Sequence, residues 1–349
     1  MKTLQGVKIK GFKSIENADL KLGDLNVVIG ANGSGKSNLI GAFRLLERVL
    51  THNLQLYVAS EPDRFLFHGR KTTPALSLDF ELEKYPYGFV LAPSQDSLIF
   101  IEERIGSKTI AAGNKESRFK EVVQDYRTMR EPPVFLQVEN FIVYHFHDTS
   151  DTSPAKQAAD LDDNRFFRPN ASNLPAYLYW LQEKHSAQFR RIEEHVRLVA
   201  PFFDRFVLAP SKLNEKKIKL EWRQKGSEAY FDAYSLSDGS LRFICLATLL
   251  LQPNPPALIL LDEPELGLHP FALRILAEML DAASERTQVL VATQSVTLLD
   301  NFPVEQIIVA DHDGRGSRFR RLCSDDYAMW LENFSVGELW EKNVFGGRP

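Results

Sequence analysis

Residues Gly30 to Ser37 read GANGSGKS and satisfy the pattern G-x-x-x-x-G-K-[ST] at every specified position. The chemistry open to such a run is phosphate binding. Gly30, Gly33 and Gly35 let the backbone take φ > 0 and curl its N–H groups around an anion, and a following helix adds the partial positive charge of its N-terminus. Lys36 would reach the β- and γ-phosphates of ATP, and the Ser37 hydroxyl would hold Mg²⁺. Asn32, Ser34 and Asn38 share the loop and helix start and complete the candidate nucleotide contacts. An ordinary glycine-rich turn is the alternative. A second reactive pair, Asp262-Glu263, lies far downstream. Asp262 is suited to hold Mg²⁺ through water, and Glu263 to orient or deprotonate an attacking water. Adjacent carboxylates are weak evidence alone, because strand ends are often acidic; behind a phosphate loop they point to nucleotide hydrolysis.

These groups need elements to hold them. Leu25 to Ile29 is a short apolar, β-branched run that predicts a strand entering the glycine loop. Asn38 to Leu50 has helical spacing, with Leu39, Ile40, Phe43, Leu46, Val49 and Leu50 on one stripe. Ala257 to Leu261 is uniformly apolar and reads as a buried parallel strand that ends in Asp262-Glu263, where an α/β sheet places its ligand chemistry. Ahead of it, Leu236-Ser237-Asp238-Gly239-Ser240 opens a helix over 241–251. Ser237 there is either a plain N-cap or part of a second anion site at a helix start.

The chain has 349 residues, 44% apolar and 25% charged, which allows one large α/β domain or one domain with a sizeable insertion. No segment has the apolar length of a membrane span, and MKTLQGVKIKGF lacks an apolar leader core. Cys245 and Cys323 suggest neither a disulfide framework nor a metal site, so a reducing cytoplasm is expected. The net charge of -4 gives no global sign of nucleic-acid binding. Two local basic stretches remain: Lys212, Lys216, Lys217, Lys219, Arg223 and Lys225, and Arg315, Arg318, Arg320 and Arg321. Each is either a solvated face or a DNA track.

Elsewhere, Leu4 to Gly11 alternates as a half-exposed strand, and Leu20 to Leu22 is a short second one. Residues 75–104 read as antiparallel strands with turns at Pro86, Gly88 and Pro93. A surface helix is expected over 116–130, a strand over 141–144, and a long mobile loop over 148–173. Leu174 to Val199 is helical, and Pro201 ends it. Asp311-His312-Asp313-Gly314 is either a metal site or, as turn chemistry favours, a hairpin turn. His145 and His147 share one face of a strand without a third ligand.

Taken together, GANGSGKS, LSDGS and LILLDEPELGLHP resemble the ABC-type ATPase head of the RecF, SMC and Rad50 group. GFKSI, LSDGSLRF, the loop at Tyr144 to Asp148 and FSVGELWEKNVFGG resemble the short RecF/SMC-like AAA-family ATPases. The resemblance implies an α/β P-loop fold of ABC-ATPase type, with a mixed central sheet, an antiparallel β subdomain and a helical insertion. It implies one domain over 1–349, in parts 1–105, 106–205 and 206–349. It also implies ATP and Mg²⁺ as ligands, ATP hydrolysis, and a homodimer closed head to tail by ATP. Ser237 and Gly239 of one copy would then contact the γ-phosphate held by the other. Glu265 to Pro270 would run along that interface, His269 being otherwise a residue ahead of a helix. Lys13 would lie near the nucleotide base, with an exposed strand edge as the alternative. Gln137 is the candidate metal-contacting glutamine. The family usually has Thr-His-Ser where this chain has Thr293-Gln294-Ser295. Gln294 can hydrogen-bond a γ-phosphate but cannot carry charge, which bears on rate more than on binding. Relatives act in DNA repair, chromosome organisation and antiviral defence, so DNA or an effector protein is the expected partner.

Overall fold

The computed structural model describes residues 4–347 apart from 125, 127–128 and 130–133. The chain divides into two compact units. The first takes 1–143, 256–260 and 287–349, and the second takes 144–255 and 261–286. Residues 106–143 therefore go with the first unit rather than with the helices that follow them.

Two six-stranded sheets are found among the described residues of the first unit and the strands that continue from it. One carries β3 (Leu25–Ile29), flanked by β16 (Gln288–Thr293) and β17 (Ile307–His312), both parallel to it. Its edges are completed by β18 (Ser317–Arg321) on one side, and by β15 (Leu258–Asp262) and β8 (Phe141–Tyr144) on the other. Every residue of β3 and β16 is buried, as mostly apolar strands covered on both faces should be. Two buried polar residues are used in pairing: Gln288 exchanges hydrogen bonds of 2.8 Å with both the N–H and the carbonyl of Leu4, and Asn26 Nδ2 donates to Gly23 O at 3.0 Å. The other sheet is antiparallel, in the order β2 (Ile15–Lys21), β1 (Leu4–Phe12), β4 (Leu76–Leu82), β5 (Tyr87–Ser94), β6 (Ser97–Ile105) and β7 (Lys108–Ala111). Helix α1 (Lys36–Leu50) contributes its apolar stripe to a core shared with residues of both sheets, with Phe43 edge-on to Phe80 at 5.6 Å. Short helices α2 (Leu54–Val58) and α3 (Phe119–Val123), and α8 (Val296–Leu299), α9 (Ser324–Leu331) and α10 (Val336–Glu341), complete this unit.

The second unit is built on α4 (Leu174–Lys184), α5 (Ser186–Val199), α6 (Asp238–Leu251) and α7 (Pro270–Ser284). It also carries two small sheets: β10 (Phe203–Val207) with β13 (Glu221–Gln224) and β14 (Tyr230–Asp232), and β11 (Pro210–Ser211) with β12 (Asn214–Ile218) and β9 (Ala159–Asp160).

Several expectations are corrected. β2 is longer than 20–22, since the hairpin with β1 recruits Ile15 to Asp19, while β1 keeps the expected alternation, with Val7 and Ile9 buried against a part-exposed Lys8 and an exposed Lys10. The helix expected over 116–130 is described only as α3, and its later part falls largely outside the described residues. The helix over 174–199 is two helices meeting at His185. The 148–173 segment is packed, not loose: Phe167 lies buried among Tyr144, Phe146 and Tyr177, and fully buried Asn173 donates to the carbonyls of Asp163 and Phe166 at 2.8 Å each. Polar composition suggested a mobile loop, but here the polar side chains satisfy the loop's own backbone. Among the described residues no helix is long and apolar enough to cross a membrane.

Candidate functional site

The glycine loop leaves β3 and enters α1 as the motif requires. Gly35 has φ 107°, and a Cβ there would collide with the Ser317 side chain and lie 3.2 Å from Ser14 Oγ, so only glycine fits. At Gly30 an added Cβ would overlap Ala310 O. At Gly33 it would meet nothing within 4 Å, so the loop is walled behind and open at its middle. Lys36 is buried and donates to Gly30 O at 2.6 Å and Ala31 O at 3.0 Å, which aims its ammonium across the loop. Ser34 Oγ is buried without a hydrogen-bond partner. Open space, an orphaned hydroxyl, a lysine turned inward and a helix N-terminus together suit a phosphate. Ser37 is exposed at the first turn of α1.

Neighbouring segments brace this loop. Ser14 accepts from Asn38 Nδ2 at 2.7 Å, and Ser317 N–H donates to Ser14 O at 2.7 Å, so the GFKSI turn is sewn to the start of α1 and to β18. Lys13 has φ 49° and lies over α1 near Gly41, with its ammonium 5.4 Å from the Phe12 ring and 5.9 Å from Phe65. It is therefore not an exposed strand edge. Burial, then the charges of Arg44 and Arg64, push its pKa below the ordinary lysine value. Thr293 pairs with Ile29 in register, which sets Gln294 level with Gly30. Ser295 caps α8, and Gly337 N–H of α10 donates to Asp300 Oδ1 at 2.7 Å just past that helix. The C-terminal FSVGELW motif thus buttresses the segment that carries Gln294.

In the second unit Ser237 is exposed and caps α6, accepting from Ser240 N at 3.2 Å. Gly239 touches the loop after β15 so closely that a Cβ would overlap Gly267 O. Glu263 has φ 46°, a left-handed conformation uncommon for a residue with a side chain. Beside it is a small pocket lined by Tyr144, Phe146, His147, Arg242, Asp262 and Glu263, among others. Arg242 is 7% exposed and donates from Nε to Phe146 O at 2.9 Å, from Nη2 to His147 O at 3.0 Å, and from Nη1 to Leu266 O. Burial lowers its pKa, with Asp238 opposing. His269 caps α7, accepting at Nδ1 from Phe271 N–H.

A family model described as "AAA domain, putative AbiEii toxin, Type IV TA system" matches residues 25–300. The chain belongs to this AAA family. No curated protein matches it. Its fold is similar to the SMC head bound to the C-winged helix domain of ScpA, at TM-score 0.66 and 16% identity over 94% of this chain and 99% of that one. It is also similar to the Pyrococcus furiosus SMC head with an extended coiled coil bound to the C-terminal domain of ScpA, at TM-score 0.66 and 15% identity over 95% and 99%. The SMC head of Thermotoga maritima gives 0.53 and 14% over 92% and 99%. The architecture is that of an SMC- and RecF-like ABC-type ATPase head, a P-loop fold in a family of ATPases that bind nucleotide.

In this AAA-family chain the P-loop residues Gly30 to Asn38, Lys13 and Gln294 all lie in the first unit, and Ser237, Gly239, Asp262 and Glu263 in the second. Gln137 lies on a 3-10 turn (Val134–Asn140) ahead of β8. Asp313 sits in the β17–β18 hairpin, accepting from Gly316 N–H and Arg315 N–H at 2.9 Å each and from Arg318. The Gly316 bond first, then Arg318, holds its carboxyl well below the usual range. Turn chemistry accounts for that motif, and no metal-ligating cluster is found among the described residues. Arg318, Arg320 and Arg321 are all engaged, with Glu16, Tyr327 and Glu305 O among their partners, and Arg315 is exposed. Sequence reasoning missed Arg242 and the Ser14–Ser317 brace. The only sequence signal for either was its place inside a family motif.

Proposed function

We propose that this chain binds ATP with Mg²⁺, closes head to tail on a second copy around two nucleotides, and hydrolyses ATP to drive a DNA-associated repair or defence process in the cytoplasm. The observation that carries the reading is the loop 30–37, open at Gly33, with Lys36 aimed across it and Ser34 Oγ without a partner. The oxygen donors Ser37 and Asp262 suit Mg²⁺, with Gln137 as a further contact that rests on resemblance alone. Bound ATP and Mg²⁺ would supply the activated phosphoryl group and neutralise its charge. Lys36, Asn32, Ser34 and the loop N–H groups hold the phosphates, Lys13 lies toward the base, Glu263 orients or deprotonates water, and Gln294 hydrogen-bonds the γ-phosphate. Exposed Ser237, with Gly239, offers the α6 N-terminus to the nucleotide of the other copy. Glu263→Gln should form a dimer only with ATP and Mg²⁺, read by light scattering. A monomer under saturating ATP would overturn the dimer.

A second reading is a nucleotide-gated switch for DNA or an effector protein with slow hydrolysis. It is favoured by Gln294, by Lys212, Lys216 and Lys219, which stand exposed on and beside the β11–β12 hairpin, and by Lys225, exposed just past β13, whereas Lys217 pairs with Asp160 at 2.8 Å. Phosphate release no greater than that of Lys36→Ala, with or without DNA, would favour the switch. Binding to DNA that weakens steeply with salt would identify phosphate contacts.

A further inference from the structure

We propose that Arg242 is a positioning residue that couples the Ser237–Gly239 turn to Glu263, so that docking of one copy's turn on the other's nucleotide sets its own hydrolytic carboxylate. The inference rests on the dimer reading above. Arg242 follows Ser237 on the same helix by little more than one turn. Its guanidinium is buried, yet among the described residues its hydrogen bonds run to carbonyls of Phe146, His147 and Leu266 and to no carboxylate. A buried cation hydrogen-bonded to carbonyl dipoles, with Asp238 adding a through-space attraction that burial outweighs, is an expensive way to fill space, and an apolar side chain would pack there at lower cost. What the fork supplies is geometry: a planar group that fixes two separate loops to one helix.

Both loops line the pocket that contains Asp262 and Glu263. One is 146–147; the other is 263–267, which begins at Glu263 in its left-handed conformation. The second loop is also pressed from the helix start, because Gly239 leaves no room for a Cβ against Gly267 O, and a Cβ on Gly267 would stand 3.0 Å from Arg242 Nη1. The turn at 237–239, the guanidinium and the loop at 263–267 are thus in serial contact. Displacing the turn displaces the loop, and the φ of Glu263 is the soft end of that chain. Two sites in a closed dimer would then fire in concert, each Glu263 set by its own turn's engagement of the partner's nucleotide.

Arg242→Lys tests this, since an ammonium keeps the charge but cannot reach three carbonyls in one plane. Three quantities are compared with the parent: affinity for a fluorescent ATP analogue at low protein concentration, ATP-dependent dimer in the Glu263→Gln background, and kcat. Coupling predicts unchanged affinity, a retained dimer, and kcat lower by about tenfold. Unchanged kcat, or a fall that only tracks lost affinity or lost dimer, overturns it. If Glu263→Gln alone fails to dimerise with ATP, the dimer reading fails, and with it the inter-copy part of the proposal. The link within one copy is then read by hydrogen exchange on the free chain. Arg242→Lys must speed exchange in 144–148 and 264–268 together while α6 stays protected, and acceleration of one loop alone or of neither overturns the link.

Discussion

The hydroxyls of Ser14 and Ser317 lie 2.7 Å apart, directly behind Gly35. The β1–β2 turn and β18, distant in sequence, thereby form the back wall of the phosphate loop, and the wall leaves no room for a side chain. Gly35→Ala adds both a collision with Ser317 and a left-handed backbone strain, worth about 1–3 kcal/mol. Thermal unfolding with and without ATP and Mg²⁺ should show a lower Tm and no shift on adding nucleotide. A normal shift would show that the wall does not shape the cradle.

Lys36→Ala separates binding from folding. Its ammonium satisfies Gly30 O and Ala31 O, so removal costs about 1 kcal/mol in the free protein. The larger effect is on ligand: ATP at a hundred times its Kd stabilises the parent by about 2.7 kcal/mol. That gain should vanish in the variant, as followed by denaturant unfolding.

Gly239→Ala probes the other half. The new methyl overlaps Gly267 O and forces the 263–267 loop outward, at about 1–3 kcal/mol of overpacking. ATP-induced stabilisation should persist, because the phosphate loop is untouched, while phosphate release falls to the level of Glu263→Gln. Retained turnover would argue against the close approach of the two glycines in the working enzyme.

Lys13 gives a pH signature. Burial lowers its pKa below 10.5, so the unfolded chain binds the proton more tightly, and this residue's contribution to stability rises with pH between the lowered value and 10.5. Lys13→Met should therefore raise Tm near neutral pH, with the gain shrinking as pH approaches 10.5, and should weaken ATP binding. Paired melting curves across pH, with ATP titrations at neutral pH, check both halves. A Tm difference independent of pH would discount the buried charge.

Much of the site was legible because its constraints are local. A phosphate loop needs glycines, a lysine and a hydroxyl at set spacing between a strand and a helix, and those requirements lie within one short stretch from β3 to α1. The all-apolar strand ending in Asp262-Glu263 and the helix capped by Ser237 were legible for the same reason, and both form where expected. The packing within 148–173 was not legible because polar composition does not say where side chains such as Asn173 send their hydrogen bonds. The basic run at 315–321 was ambiguous because ion pairs with residues as distant as Glu16 are invisible in a charge count.

The sequence by itself determined the family motifs, the nucleotide chemistry they permit and the elements that carry them, since each is encoded by contiguous residues. Only the tertiary structure decided that Ser317 walls the loop from β18, that Lys13 lies half-buried over α1, and that Arg242 binds two loops to the signature helix. Those relationships depend on which carbonyl or side chain arrives at a given point in space. The long-range pairing of strands and helices sets that arrival, and local residue preference does not.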